Sequence, residues 1–318
     1  MIIVTGGAGF IGSNIVHGLN DRGIKDIMIV DDLTQGQKMH NLSDLDFIDY
    51  IDVDEFLNFL SNKKSSNDIK AIFHQGACSS TDEWDGKYLM RNNFSYSKSL
   101  LEWSNENNTQ FIYASSASVY GNGTNGFRES RECEHPINMY AFSKFQFDQY
   151  VRAKQKKIKT QVAGLRYFNV YGPRENFKGS QSSTAFHFYN QVNKDGLLKL
   201  FKGTDGYIDG MQMRDFIYVK DCIKVNLWLL DNPNISGTFN VGTGEARTFN
   251  DMGNAVIASM GKGKIEYIEF PKHLEGSYQN YTQADMSALR RVGYKDSFFK
   301  LEDGVADYIK YLNKCEFL

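Results

Sequence analysis

Proline and cysteine are both scarce, at 4 residues each in a chain of 318. The cysteines, Cys78, Cys133, Cys222 and Cys315, fall at no CxxC or other ligand-like spacing, so neither a disulfide framework nor a zinc site is expected, and the thiols fit a reducing compartment. No apolar run approaches the roughly 20 residues that cross a bilayer. The N-terminal residues reach glycine by position 6 with no basic lead and no long apolar segment, a pattern unlike a secretory signal. A soluble, cytoplasmic protein is the expectation. Charge of one sign is missing too: 36 Lys and Arg stand against 38 Asp and Glu. No basic or acidic block stands out, which argues against a nucleic-acid or membrane partner. No low-complexity linker or internal repeat divides the chain.

What the chain does have is a glycine series at its start. An apolar run over residues 1–5 leads into Gly6, Gly9 and Gly12 and then into a helical pattern. Strand, tight glycine turn and helix in that order build a site for a dinucleotide pyrophosphate. Gly6 permits the turn out of the strand, Gly9 lets backbone approach phosphate oxygens, and Gly12 lets the helix pack on the strand. The helix N-terminus adds free N–H donors and a partial positive charge. A second apolar strand, residues 27–30, ends at Asp31 and Asp32, about 20 residues past the glycines, where a carboxylate accepts hydrogen bonds from the adenosine ribose.

Further strands are predicted over residues 71–74, 111–114 and 161–168, separated by stretches long enough for helices. The alternation predicts an α/β fold, a doubly wound parallel Rossmann sheet whose ligands sit beyond the carboxyl ends of the strands. After about residue 170 the rhythm changes to long loops over 172–183 and 201–213. Residues 1–170 therefore read as the dinucleotide-binding domain and 171–318 as a smaller substrate-binding lobe, with a return to the sheet within 214–245.

The sharpest chemical signal after the glycines is Tyr140 followed four residues later by Lys144, in a helical stretch. Four residues are about one turn, so both side chains face one cleft. A free tyrosine loses its proton near pH 10, and a nearby ammonium is expected to bring that value down. Tyr140 is then the candidate base. Ser115 and Ser116 end the strand predicted at 111–114, which puts the Ser116 hydroxyl at the cofactor edge, within reach of the reacting oxygen.

Thr5-Gly6-Gly7-Ala8-Gly9-Phe10-Ile11-Gly12, Ser115-Ser116, Tyr140-x-x-x-Lys144 and Asn169-Val170-Tyr171-Gly172-Pro173-Arg174 together resemble the extended short-chain dehydrogenase/reductase superfamily. Within it, residues 74–81, 83–88 and Phe177-Lys178-Gly179-Ser180 closely resemble the ADP-L-glycero-D-manno-heptose 6-epimerase family. The resemblance spans essentially the whole chain. It implies interconversion of two ADP-heptose epimers for the lipopolysaccharide inner core, by oxidation at C6″ and re-reduction on the opposite face. It also implies tightly held NADP, a cytoplasmic setting and a homo-oligomer, often a pentamer. Lys178 would be a second base opposite Tyr140, or else a contact to the substrate diphosphate. Cofactor contacts implied by matched motifs are Phe10, Ile11, Asp31, Asp32, Lys38, Gln75, Gly76, Ala77, Cys78, Ser79, Asn92, Lys144, Val170 and Lys178. Substrate contacts implied likewise are Asn169, Ser180, His187, Phe201, Lys202, Gly203, Thr204, Arg214 and Tyr278.

The chain departs from that family at Asp32, where asparagine is usual, and at Val53, where lysine is usual. Both changes make the adenosine pocket less positive and favour NAD, while Lys38 remains to meet a 2′-phosphate. An apparent insertion near residues 205–213 borders the substrate lobe. Among alternatives, a 4,6-dehydratase needs an Asp-Glu pair where this chain has Ala117 and Ser118. A UDP-sugar 4-epimerase is the nearer alternative, separated by the segments around Trp84 and Lys178. A catalytically silent NADP-binding sensor would be expected to lose the Tyr-x-x-x-Lys pair, which this chain keeps.

Overall fold

The computed structural model describes residues 1–62, 69–271 and 279–315. The chain opens with β1 (Ile2–Thr5), α1 (Phe10–Asp21), β2 (Ile27–Asp31), β3 (Asp49–Asp52), α2 (Val53–Asn62) and β4 (Ala71–His74). Next come α3 (Gly86–Leu89), a π-helical turn at Met90–Ser95 and α4 (Tyr96–Glu106), then β5 (Gln110–Ser116), α5 (Met139–Lys154) and β6 (Val162–Tyr167). These strands and the later β11 form one seven-stranded sheet, in the order β11-β6-β5-β4-β1-β2-β3. All its neighbours pair parallel.

Both faces of the sheet are covered, which is why its central strands are continuous apolar runs rather than alternating ones. Successive residues serve opposite cores. Ile2 and Val4 of β1 pack with Ile15, Val16 and Leu19 of α1 on one side, and Ile3 packs with Phe56 of α2, Leu100 of α4 and Phe147 of α5 on the other. The strands expected from sequence are present. β3, with the sequence Asp-Tyr-Ile-Asp, is an addition at the sheet edge.

The rest of the chain contributes β7 (Asn169–Tyr171), α6 (Thr184–Asp195), β8 (Leu197–Phe201), β9 (Met213–Arg214), β10 (Phe216–Tyr218) and α7 (Val219–Asp231). It continues with β11 (Gly237–Val241), β12 (Arg247–Thr248), α8 (Phe249–Met260), β13 (Lys264–Ile268), α9 (Ser287–Arg291) and α10 (Leu301–Cys315). The helices carry clear start and stop signals. Ser183 caps α6 and Gly196 ends it in the left-handed region; Thr248 and Asp251 form a capping box on α8. Three two-stranded ribbons, β7 with β10, β9 with β12 and β8 with β13, hold this half together. One apolar core runs from the α1 face of the sheet through Val219 and Val225 of α7 to Leu198, Val256 and Leu312. The second half of the chain is thereby packed against the Rossmann sheet. Among the described residues, no helix is long and apolar enough to cross a membrane.

Candidate active site

The glycine turn is sterically required. Gly6 has φ +67°, and a Cβ there would meet Gly76 N at 2.6 Å. A Cβ on Gly12 would lie 2.0 Å from the Gly6 carbonyl oxygen, so only glycine lets α1 settle on the turn. Gly9 starts α1 with no side-chain cap and no acid in the first turn, which leaves the helix N-terminus open to an anion. Gln75, at the end of the adjacent strand, has a buried Nε2 with no hydrogen-bond partner and lines the same cavity. An uncapped helix start, a backbone cradle and an unpartnered amide fit a dinucleotide pyrophosphate.

That cavity, about 770 Å³, runs along the carboxyl edge of the sheet. A second, about 690 Å³, continues it past the end of β2 and shares Gly6, Asp31, Lys38, Gly76, Ala77, Cys78 and Tyr88 with it. Asp31 is buried and accepts from Ala8 N at 2.8 Å. Lys38 Nζ donates to Asp31 Oδ1 at 2.9 Å and to the Asp32 carbonyl at 2.7 Å. Hydrogen bonds from Thr34, its side chain first and then its backbone N at 2.7 Å, hold the Asp32 carboxyl below the usual range. Asp32, Val53 and Asn92 line the second cavity. Beside Asn92, within the π-helical turn, Asn93 accepts from Cys78 N at 2.9 Å and donates to Cys78 O at 2.9 Å and Ser143 Oγ at 3.0 Å. Inserted π turns recur at functional sites. This one pins the 75–79 loop to α5.

Ser116, Tyr140, Lys144 and Lys178 all line the larger cavity. Asn138 caps α5 by accepting from Ala141 N at 2.8 Å, which places Tyr140 in the first turn and Lys144 one turn on. Ser116 sits at the last position of β5, and its Oγ accepts from Ser118 N at 3.1 Å. Burial pushes the Tyr140 hydroxyl above its ordinary value; a hydrogen bond with Ser116 works against that. Lys144, 5% exposed, donates to the Ala114 carbonyl at 2.9 Å. Burial brings its pKa down to about 8, against the pull of Asp148 and Cys78. The sequence-based expectation was that Lys144 lowers Tyr140. In the structure the ammonium is aimed at a strand carbonyl, and desolvation governs both groups. Lys178 is lowered by burial, with Glu175 acting the other way, and its Nζ lies 5.4 Å from the centre of the Phe10 ring.

The remaining expected residues divide by place. Phe10, Ile11, Gln75 to Ser79, Asn169 and Val170 line the larger cavity. Ser180 lies on the 3-10 segment after Lys178, its carbonyl 3.4 Å from His187 Nε2 of α6. Phe201 ends β8, and Lys202 to Thr204 form the turn after it, where Gly203 N donates to Asp209 Oδ1 at 2.8 Å. Lys202 pairs with Glu269. None of these lines either cavity, and neither does Arg214 of β9, whose guanidinium lies over the Phe249 ring at 5.5 Å. Tyr278 lies outside the described residues. The 205–213 segment folds back so that Gly210 N reaches the Phe201 carbonyl at 3.0 Å. Sequence reasoning missed Asn93, Asp148, Arg166 and Glu175, buried polar anchors of the site with no motif spacing to announce them. Glu175 is wholly buried and accepts from Ser183 Oγ at 2.7 Å and Gly172 N at 3.1 Å, fixing the loop that carries Lys178.

Fold and site together have the form of a Rossmann enzyme, with a glycine turn that fits a dinucleotide pyrophosphate beside a cavity lined by Ser116, Tyr140 and Lys144. Residues 2–242 match the NAD dependent epimerase/dehydratase family, and the chain belongs to that family. It is 54% identical over 309 residues to the ADP-L-glycero-D-manno-heptose-6-epimerase of Alkalilimnicola ehrlichii, covering 97% of this chain and 96% of the relative. Among solved structures, it is similar to the ADP-L-glycero-D-manno-heptose-6-epimerase of Helicobacter pylori. The TM-score is 0.85 at 30% identity, covering 98% of this chain and 96% of that one. The Thermus thermophilus UDP-glucose 4-epimerase in complex with NAD is similar at TM-score 0.78 and 25% identity, covering 98% of each chain.

Proposed function

We propose that this chain interconverts ADP-D-glycero-D-manno-heptose and ADP-L-glycero-D-manno-heptose, supplying heptose for the lipopolysaccharide inner core. The observation that carries the reading is a cavity lined by Tyr140, Lys144, Ser116 and Lys178 together, in a chain 54% identical to an enzyme of that name over 97% of its length. NADP is the proposed form of the dinucleotide, with Lys38 on the adenosine side to meet its 2′-phosphate. Tighter binding of NAD than of NADP would overturn that part alone. The resemblance also supports a homo-oligomer, a pentamer in the family, working in the cytoplasm. Residues 1–170 would hold the dinucleotide and 171–318 the sugar nucleotide.

The dinucleotide, when bound, supplies reversible hydride acceptance on one face of its nicotinamide. The chain must therefore present two faces of one substrate carbon. C6″ lies outside the pyranose ring, so rotation about the bond to it places the oxygen on either side. Tyr140 takes the hydroxyl proton of one epimer while Ser116 hydrogen-bonds the reacting oxygen, and Lys178 serves the other epimer. Burial that lowers the Lys178 pKa makes its neutral, proton-accepting form more accessible.

The test is incubation with each ADP-heptose epimer, following C6″ by NMR, with the bound dinucleotide identified by mass. Both epimers should reach the same mixture. Tyr140→Phe and Lys178→Met should each lose about 100-fold or more in turnover. Full activity in Lys178→Met would overturn the two-base scheme. Bound dinucleotide with no change in either epimer would overturn the substrate, and UDP-sugars would be tried next.

A further inference from the structure

Asp148, a buried carboxylate beneath the site, has no part in the chemistry above. It lies on α5 one turn beyond Lys144 and two beyond Tyr140, and is 1% exposed. Its Oδ1 accepts from Tyr113 Oη at 2.9 Å and its Oδ2 from Ser115 Oγ at 2.9 Å. The carboxylate thus grips β5 on both sides of Ala114. The Ala114 carbonyl accepts from Lys144 Nζ at 2.9 Å. Three successive residues of β5 are tied to two successive turns of α5, and the next residue of the strand is Ser116.

The neighbouring strand is shaped for this grip. Tyr113 stands opposite Gly164 of β6, and a Cβ on Gly164 would lie 2.4 Å from both Cζ and Oη of the phenol. Only glycine leaves the ring its path to Asp148. Arg166, two residues along β6 and wholly buried, donates to Asp148 Oδ2 from Nε at 2.9 Å and from Nη2 at 2.8 Å. It also pairs with Glu134, whose Oε1 Arg152 reaches as well, at 2.5 Å. Arg166 already balances the charge of Asp148. The two hydroxyls from β5 are therefore not needed to neutralise a carboxylate, and they come from the strand that carries Ser116.

We propose that Asp148 is a positioning residue for the reaction. By holding Tyr113 and Ser115 it sets how closely α5 approaches the end of β5, and so sets the spacing of Tyr140 and Ser116 across the reacting oxygen. The proposal rests on the reading of those two residues as the catalytic group. Positional precision is where such a clamp acts, since a misplacement of about 1 Å costs about 100-fold in rate.

Replacing Asp148 itself would leave Arg166 and Arg152 to share the one carboxylate of Glu134, a buried charge imbalance that destabilises the fold and masks any effect on positioning. The test therefore uses Ser115→Ala, Tyr113→Phe and their combination, which remove the grip and leave the Arg166–Asp148 pair intact. Gly164→Ala, which displaces the phenol, is the fourth variant. Turnover of ADP-heptose, KM for the sugar nucleotide, the dissociation constant of the dinucleotide and the urea midpoint are measured for each. The expected result is a fall in kcat of about 10-fold in each single variant and more in the double, with KM and the dinucleotide constant within about twofold of the parent. A double variant that is less stable but keeps kcat within about twofold overturns the proposal, because the contacts are then structural only. A parent chain with no turnover of either epimer refutes the proposed function and this proposal with it.

Discussion

Lys144 offers a direct measure of what the site costs the fold. It is 5% exposed, and burial brings its pKa from the ordinary lysine value of 10.5 down to about 8. At about 1.4 kcal/mol per tenfold, holding this ammonium charged at neutral pH costs the folded chain about 3 kcal/mol. Lys144→Met keeps an unbranched stem and removes the charge. It also loses the hydrogen bond to the Ala114 carbonyl, which offsets about 1–2 kcal/mol of the gain. The variant, freed of dinucleotide so that ligand linkage does not enter, should be about 1–2 kcal/mol more stable than the parent at pH 7, and inactive. The unfolded chain keeps the lysine proton up to its ordinary value, while the folded chain gives it up near pH 8. Between about 8 and 10.5 the unfolded state binds more protons, so the parent gains stability as pH rises. The advantage of the variant is full below about pH 8 and shrinks as the pH approaches 10.5. Urea denaturation followed by tryptophan fluorescence at pH 7 and pH 10 reads both ends. A variant less stable than the parent at pH 7, or one whose advantage is undiminished at pH 10, would refute the reasoning.

Gly12→Ala places a methyl group 2.0 Å from the Gly6 carbonyl oxygen and 3.0 Å from Gly7 Cα, all rigid backbone. It should lose more than about 3 kcal/mol of stability and all measurable dinucleotide binding by calorimetry; parent-like affinity would show that the turn is not the cradle. His74 is 2% exposed, with its ring nitrogens 2.6 Å from Thr5 Oγ1 and 2.7 Å from Ser97 Oγ, and burial drives its pKa down to about 3. Its ring NMR shifts should stay flat from pH 8 to pH 5, and a titration centred near 6 would contradict the burial argument.

The sheet was legible in the sequence wherever strands are buried on both faces, because β1, β2, β4 and β5 read as largely apolar runs bounded by turns, while β6 carries a buried Arg166 and β11 mixes Thr238 and Asn240 with Phe239 and Val241. The ribbons of the second half were not. β7, β9 and β12 have two or three residues each, and β7 finds its partner β10 across some 45 positions of sequence, too far for any local pattern. In the site, residues set by backbone geometry or by helical spacing were legible: the glycines, and the Tyr140–Lys144 pair. Asp148, Glu175 and Asn93 were not, since each works by binding backbone or side chains that only the fold brings near. Ser180, His187 and the 201–204 turn came from resemblance alone, and the fold sets them outside the two cavities.

β3 escaped notice because aspartates stand at both of its ends. It is also an outer edge of the seven-stranded sheet, with no strand pairing to its outer side among the described residues. An apolar strand there would be a template on which another molecule could add an eighth strand. Asp49, exposed at the start of the strand, places a negative charge at that rim, which disfavours an incoming copy of the same strand, whereas Asp52 faces the second cavity and accepts from Asp54 N at 2.9 Å. The composition that hides β3 from pattern reading thus acts as a guard against aggregation. Asp49→Val would make the strand easier to read and should lower the concentration at which the protein precipitates.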